Sequence, residues 1–286
     1  MQHLCYMEKQ AAWQQVRKVR FDAPLSPLYE ADERKAMWQW WCESRLGIAL
    51  QQQSSWQYGL AQANEIEKLE ADVARLLQGE PFQYVLNEAW FLGKKYVLNG
   101  NVLIPRPETE ELVGWMLDEL EMEKRWRIVD MGTGSGIIPI SLRLARSHWQ
   151  AWGVDLSAEA LTTAKQNAHL HQVEIDWLQG DMCSIQLPEI DVIVSNPPYI
   201  PLDEAHTLHP RVSSHEQSMA LFSPQTDALF FYRCLAERFK QMGGSKQLFL
   251  ELNHEKATEI GGLFEGYEVT YRPDMQGKNR MLRVQS

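Results

Sequence analysis

The sequence predicts an α/β protein in which a seven-stranded, mostly parallel sheet follows a small helical domain. Three observations carry this reading. From residue 105 onward, short apolar runs alternate with helical patterns, as expected of strands joined by crossover helices. A glycine-rich turn directly follows the first of those runs. The first 88 residues have little strand character and are rich in Gln, Glu, Ala, Leu and Trp.

In the helical part the clearest element is predicted over 65–78. Asn64 stands where a cap would sit, and Glu67 closes a capping box. Ile66, Leu69, Val73, Leu76 and Leu77 fall on one face. Gly79 and Pro81 stop the helix. Residues 51–55, all Gln and Ser, are expected to form a loop. Six of the eleven tryptophans lie in or just after this part: Trp13, Trp38, Trp40, Trp41, Trp56 and Trp90. Such a stripe reads as core or as a partner-binding face.

A hairpin over 89–104, turning at Asn99-Gly100, is expected to connect the two domains. The chain thus divides into 1–88, 89–104 and 105–286. In the last part the candidate strands are 127–131, 151–155, 174–178, 191–195, 247–252, 267–271 and 281–284, with helices between the first five. Residues 277–280 read as a hairpin turn carrying solvated charge.

The net charge of −10 does not draw a phosphate backbone from a distance, which disfavours a generic nucleic-acid binder. Cys5, Cys42, Cys183 and Cys234 form no CxxC pair. Their scatter predicts free thiols in a reducing compartment and no zinc knuckle. No basic segment followed by an apolar stretch opens the chain, and no run is long enough to span a membrane. These features predict a cytoplasmic protein.

Chemistry concentrates in two places. The run 128–131 enters Gly132-Thr133-Gly134-Ser135-Gly136, where glycines allow close approach of a ligand and positive φ. The spacing is GxGxG, not the dinucleotide GxGxxG. Asp155 ends the next strand, where an acidic residue binds ribose hydroxyls in open α/β sheets. After the third strand, Asp181 is placed to accept from an adenine amine or simply to be solvated, and Met182 to pack on the ring. The second place is Asn196-Pro197-Pro198-Tyr199, which ends the fourth strand. The prolines stiffen the turn and bring no N–H donors. An amide, free carbonyls and an aromatic ring suit a planar NH2 group.

This combination resembles the S-adenosylmethionine-dependent methyltransferases of class I, with their Rossmann-like fold. Proteins bearing Asn-Pro-Pro-Tyr methylate planar amines: adenine or cytosine exocyclic amines, or glutamine side-chain amides. Gly79-Glu80-Pro81 with Tyr84 and Phe91, then Leu103-Ile104-Pro105-Arg106-Pro107-Glu108-Thr109-Glu110, resembles the release-factor glutamine methyltransferases, the HemK/PrmC family. The resemblance runs from about residue 75 to the C-terminus. It implies S-adenosyl-L-methionine as cofactor and a peptide chain release factor as partner, methylated at N5 of the glutamine of its Gly-Gly-Gln loop. It implies a monomer that contacts neither nucleic acid nor membrane.

Residue by residue, the resemblance implies cofactor contacts from Gly132, Thr133, Gly134, Ser135, Gly136, Asp155, Asp181, Met182, Asn196 and Glu108. Glu108 would reach the methionine ammonium, although with Arg106 it also reads as a surface pair. Thr109 would begin the next helix. Substrate would meet Asn196, Pro197, Pro198 and Tyr199. Asn196 Oδ1 and the Pro197 carbonyl would accept the two amide hydrogens, and Tyr199 would stack on the amide plane. These make Asn196, Pro197 and Tyr199 the catalytic set, with no strong general base.

The chain departs from the family pattern at Met182, where Trp is frequent, and in 216–221 and 223–228 on the substrate side. His206, His209 and His215 have no metal-site spacing and read as solvated loop residues. Alternative activities are N5-glutamine methylation of a ribosomal protein and adenine-N6 methylation of nucleic acid. An interaction protein that keeps the fold without turnover is the alternative outside enzymes.

Overall fold

The computed structural model describes residues 12–57, 59–201, 222–223 and 227–286, without the side chains of 201, 222 and 223. Cys5, the three loop histidines and most of the divergent segments 216–221 and 223–228 lie outside the described residues. The chain forms two compact units that divide between Asn87 and Glu88.

In the first unit, α1 (Trp13–Val16) runs through a π-helical turn (Arg17–Asp22) into α2 (Ala23–Leu25). Then follow α3 (Ala31–Leu46), α4 (Leu50–Trp56), α5 (Ala63–Leu77) and α6 (Phe82–Leu86). Trp13, Trp38 and Trp41 are buried with Phe21, Leu25, Leu69 and Leu76, so for these three tryptophans the core reading holds. Trp38 and Trp41 stack at 5.6 Å between centroids. The Trp41 indole donates to Asp72 at 2.9 Å, and the Arg45 guanidinium completes the satisfaction of that buried carboxylate.

Two expectations in this unit are corrected. Helix α5 starts earlier than 65, with Gln62 as its cap residue and Glu65 closing the box onto the Gln62 N–H at 2.9 Å. Asn64 with Glu67 and Gln62 with Glu65 share the same box spacing, and the structure forms the earlier one, with both of its reciprocal bonds present. Residues 51–55 are helical rather than a loop, because Gln is a good helix former and polarity alone does not break a helix.

The second unit opens with a hairpin of β1 (Glu88–Phe91) and β2 (Lys94–Val97). Its turn is Leu92-Gly93, both at positive φ, not Asn99-Gly100 as the Asn-Gly signal predicts. The Leu92 N–H donates to Glu110 at 2.8 Å, which helps hold a leucine in a conformation it rarely adopts. Asn99 instead shapes a loop: its Oδ1 accepts from the Asn101 N–H, and its amide donates to Thr163 at 2.8 Å. The hairpin groups with the second unit.

Chain order continues with α7 (Pro107–Glu119), β3 (Arg127–Met131), α8 (Ile137–Ala145), β4 (Gln150–Asp155), α9 (Ala158–Leu170), β5 (Asp176–Gln179) and β6 (Val192–Ser195). The short pair β7 (Ile200–Pro201) and β8 (Phe222–Ser223) comes next. The chain ends with α10 (Phe230–Gln241), β9 (Gln247–Glu251), α11 (Ala257–Gly262), β10 (Glu268–Pro273) and β11 (Asn279–Gln285). Helix α7 begins at Pro107, its fixed φ suited to a first turn, so Thr109 is the third residue of that turn rather than the first residue of the helix.

The sheet order is β10-β11-β9-β6-β3-β4-β5. Strands β5, β4, β3, β6 and β9 are parallel; β11 alone runs antiparallel to them, and β10, antiparallel to β11, closes the edge in the direction of the parallel set. Alternate residues feed opposite faces. Ile128, Val192, Val194 and Phe249 pack against α7 and α8. Val129, Ile193, Leu248 and Leu250 pack against α10 and α11. The order reverses between β3 and β6, so the carboxyl ends of β3, β4 and β6 open a crevice. At residues 277–280 the hairpin turn is present, but Arg280 is not simply solvated: it pairs with Asp274 at 3.5 Å.

Candidate active site

The crevice is a cleft enclosing about 1040 Å³ of non-atom space, open solvent included. Its floor is the glycine turn after β3. The N–H groups of Gly132 and Thr133 both donate to the Val154 carbonyl at 2.9 and 2.8 Å, which ties the turn to the end of β4. Gly132 and Gly134 have φ of +79° and +53°. A Cβ on Gly134 would meet nothing within 4 Å, and one on Gly132 would lie 3.1 Å from Met182 Cε.

Asp155 is fixed from both sides. One carboxylate oxygen accepts from the Gly134 N–H at 2.8 Å, the other from the Ser157 N–H at 2.9 Å. Burial raises its pKa, and these backbone donors partly offset the rise. Asp130 lies beneath the turn, fully buried. The Thr133 hydroxyl donates to its Oδ2 at 2.6 Å, while Oδ1 has no partner. Burial pushes the carboxyl up to about 7, the Thr133 bond opposes this, and the Asp155 charge adds to it.

The wall after β5 carries Gly180, Asp181 and Met182. Asp181 turns its own loop, accepting from the Cys183 N–H at 2.9 Å. Helix α10 holds this loop twice. Arg238 donates to the carbonyls of Met182 and Ile185, and Cys234 is bonded to Cys183. The free-thiol expectation is therefore corrected for these two cysteines. They are 51 residues apart in sequence, but their Cα atoms are 5.0 Å apart because loop and helix share one sheet face. Cys42 is free and buried, and its thiol is pushed up to about 12 by burial.

The last wall comes from β6 and from the segment before α7. Ser195 donates to the Met131 carbonyl at 2.6 Å and locks the end of β6 to that of β3. Asn196 follows, and its Nδ2 donates to Thr109 Oγ1 at 3.3 Å. Thr109 in turn donates to Glu251 Oε2 at 2.7 Å.

Of the residues expected from sequence, Gly132, Thr133, Gly134, Ser135, Asp155, Asp181, Met182, Asn196 and Pro198 line the cleft. Gly136, Glu108, Pro197 and Tyr199 are not on its wall. Gly136 is where α8 begins: a Cβ there would meet Trp177 at 2.7 Å and Ala164 at 2.9 Å. Pro197 is buried, and Tyr199 is partly buried against the core that includes α10, with its pKa raised by burial. Sequence reading missed Asp130, Thr109 as a wall residue, and Glu251. Asp130 and Thr109 lie within motifs already used, whereas Glu251 lies in none. Among the described residues no group of His, Cys, Asp and Glu is placed to hold a metal.

Fold, switch point and glycine turn define an α/β methyltransferase. A family model, the methyltransferase small domain, matches residues 113–210. A release factor glutamine methyltransferase of Flavobacterium psychrophilum is 37% identical over 224 residues, covering 75% of this chain and 79% of that protein. One of Bacteroides thetaiotaomicron is 34% identical over 269 residues, covering 90% and 95%. The chain belongs to the release factor glutamine methyltransferase family. Among solved structures, the hMettl16 catalytic domain in complex with a 3′UTR hairpin shares the fold, with a TM-score of 0.54 at 14% identity over 88% of this chain and 89% of that one.

Proposed function

We propose that this protein transfers a methyl group from S-adenosylmethionine to the side-chain amide nitrogen, N5, of the glutamine in the Gly-Gly-Gln loop of a peptide chain release factor. One observation carries the proposal. An asparagine with its amide held on one side stands on the wall of a methyltransferase cleft, in a chain that belongs to this family.

The residues fit the cofactor. The unpartnered, buried Asp130 Oδ1 favours a cationic group nearby, and Gly134 leaves the turn open to a ligand. Asp155 has lone pairs left for ribose hydroxyls. Met182 and Asp181 would meet the adenine ring and its amine. Thr133 and Ser135 line the turn, and Asn196 borders both ligands. Glu108 stands off the wall and acts on an ammonium only through its charge. Bound S-adenosylmethionine supplies an electrophilic methyl group on a sulfonium.

The chain itself supplies position and electrostatics. Asn196 Oδ1 and the Pro197 carbonyl accept the two hydrogens of the substrate amide. This holds the nitrogen in line and favours a localised lone pair in the transition state. Tyr199, which stands off the cleft wall, would back the amide plane, and Pro198 shapes the wall. The nitrogen gives its proton to water after transfer, so no buried base is needed. The N-terminal helical part expected over 1–88, here the unit ending at Asn87, would recognise the release factor, and the enzyme would act as a cytoplasmic monomer. No helix among the described residues is long and apolar enough to cross a membrane.

The test is transfer of labelled methyl from S-adenosylmethionine to purified release factor, with the site found by mass spectrometry. A label on the glutamine of the Gly-Gly-Gln loop is the expected result. Label on DNA, RNA or a ribosomal protein, with none on the release factor, would overturn the proposal.

A further inference from the structure

We infer that Thr109 and Glu251 are positioning residues that fix which way the Asn196 carboxamide faces. The inference rests on the proposed reading only in that Asn196 Oδ1 must face a substrate. Thr109 and Glu251 are 4% and 3% exposed, so water does not complete their hydrogen bonds.

A threonine hydroxyl has one hydrogen to give, and an ionised carboxylate has none. The 2.7 Å contact between Thr109 Oγ1 and Glu251 Oε2 therefore uses the Thr109 hydrogen. Thr109 is left with lone pairs only, so its partner on Asn196 must be the donor Nδ2. The amide oxygen then points the other way. The two amide orientations have nearly the same shape, so packing alone does not choose between them.

The three residues come from different elements. Asn196 directly follows β6, Thr109 sits in the first turn of α7, and Glu251 ends β9, on the sheet face that carries Val194 and Phe249. A carboxylate at that strand end would otherwise be an unexplained buried charge.

Protonation of Glu251 reverses the arrangement. A protonated Glu251 donates to Thr109, the Thr109 hydrogen turns to Asn196, and the amide flips to offer it Oδ1. Nδ2 then faces the cleft, where it opposes the N–H groups of a substrate amide. Burial pushes the Glu251 carboxyl up to about 7, although the Thr109 hydrogen bond opposes the rise. The groups facing it are Arg106 and Glu108 at the start of α7, Arg280 of β11 with its partner Asp274, Tyr199 after β6 and Tyr232 of α10.

The test is the side-chain NH2 resonance of Asn196 in the full-length protein, assigned by its loss in Asn196→Asp and followed across neutral pH. The expected wild-type result is a single titration with a midpoint of about 7. Thr109→Ser keeps it, and Thr109→Val and Glu251→Gln abolish it. A resonance that does not titrate in the wild type overturns the inference. So does one that titrates unchanged in Glu251→Gln, since Asp130 is then the source.

On a release factor, kcat should rise with pH through the same midpoint and lose that limb in Glu251→Gln. Thr109→Val should lower kcat by about ten- to a hundredfold, the usual penalty for stranding a buried polar group. Equal kcat and pH profile in all variants also overturns the inference. Absence of transfer by the wild type defeats the proposed function instead, and the resonance still decides this one.

Discussion

Gly136 and Gly134 sit two residues apart in one turn, yet alanine should damage them in different ways. Both have positive φ, +75° and +53°, which costs an L-residue about 1–2 kcal/mol. At Gly136 the new Cβ would also lie 2.9 Å from Ala164 Cβ and 3.2 Å from its Cα. Those atoms belong to α9, which cannot withdraw as a flexible side chain does, and overpacking of this kind adds about 1–3 kcal/mol. Gly136→Ala should therefore lose about 3 kcal/mol, or about 6–12 °C in Tm at 2–4 °C per kcal/mol. Gly134→Ala has open space and should lose only the backbone cost, about 1–2 kcal/mol. Its methyl group, however, enters the cleft where the cofactor would lie. Differential scanning calorimetry paired with cofactor titration separates the two. Gly136→Ala should show the larger fall in Tm and Gly134→Ala the larger loss of cofactor affinity. Equal Tm values for both variants, or cofactor affinity unchanged in Gly134→Ala, would refute the reasoning.

Three further outcomes are expected. Asn196→Ala should lower kcat by about a hundred- to a thousandfold, because it removes a preorganised acceptor, while the cofactor dissociation constant changes far less; a deficit lying wholly in cofactor binding would contradict this. Burial pushes the Asp130 carboxyl from its ordinary 3.8 up to about 7, so the folded state binds the extra proton and stability falls as pH rises across that window; Asp130→Asn should make this part of the pH–stability curve of the cofactor-free protein shallower, leaving the share that Glu251 contributes, which thermal melts at several pH values will show. Reducing the Cys183–Cys234 bond removes a cross-link spanning 51 residues, a loss of at most about 4 kcal/mol by loop entropy; melts with and without reductant should differ, and cofactor affinity should weaken as the Met182 loop gains freedom.

Much of the fold was legible because hydrophobic period and glycine placement are local. The strand over 127–131 was placed at its observed ends, since β3 is buried on both faces and reads as one apolar run before the glycines. The glycine turn, Asp155 and Asn196 were legible as strand-terminal residues, and the topology brings all three to one cleft. The hairpin turn was misread because Asn99-Gly100 carries the stronger local signal. Leu92 takes the strained turn with Glu110, from α7, accepting its N–H. The bond between Cys183 and Cys234 was invisible for the same reason: sequence distance says nothing of two elements docked on one sheet face.

The sequence by itself determined the α/β alternation, the nucleotide-type turn and the amide-bearing strand end, because each depends on neighbours within a few residues. Only the tertiary structure decided how those parts face. It buried Asp130 without a second partner, turned Gly136 into α9, and joined Thr109 to Glu251 across 142 residues to hold Asn196. Such contacts arise from the sheet order, which hydrophobic period leaves open, and hydrogen-bond satisfaction in a dry interior then fixes their direction.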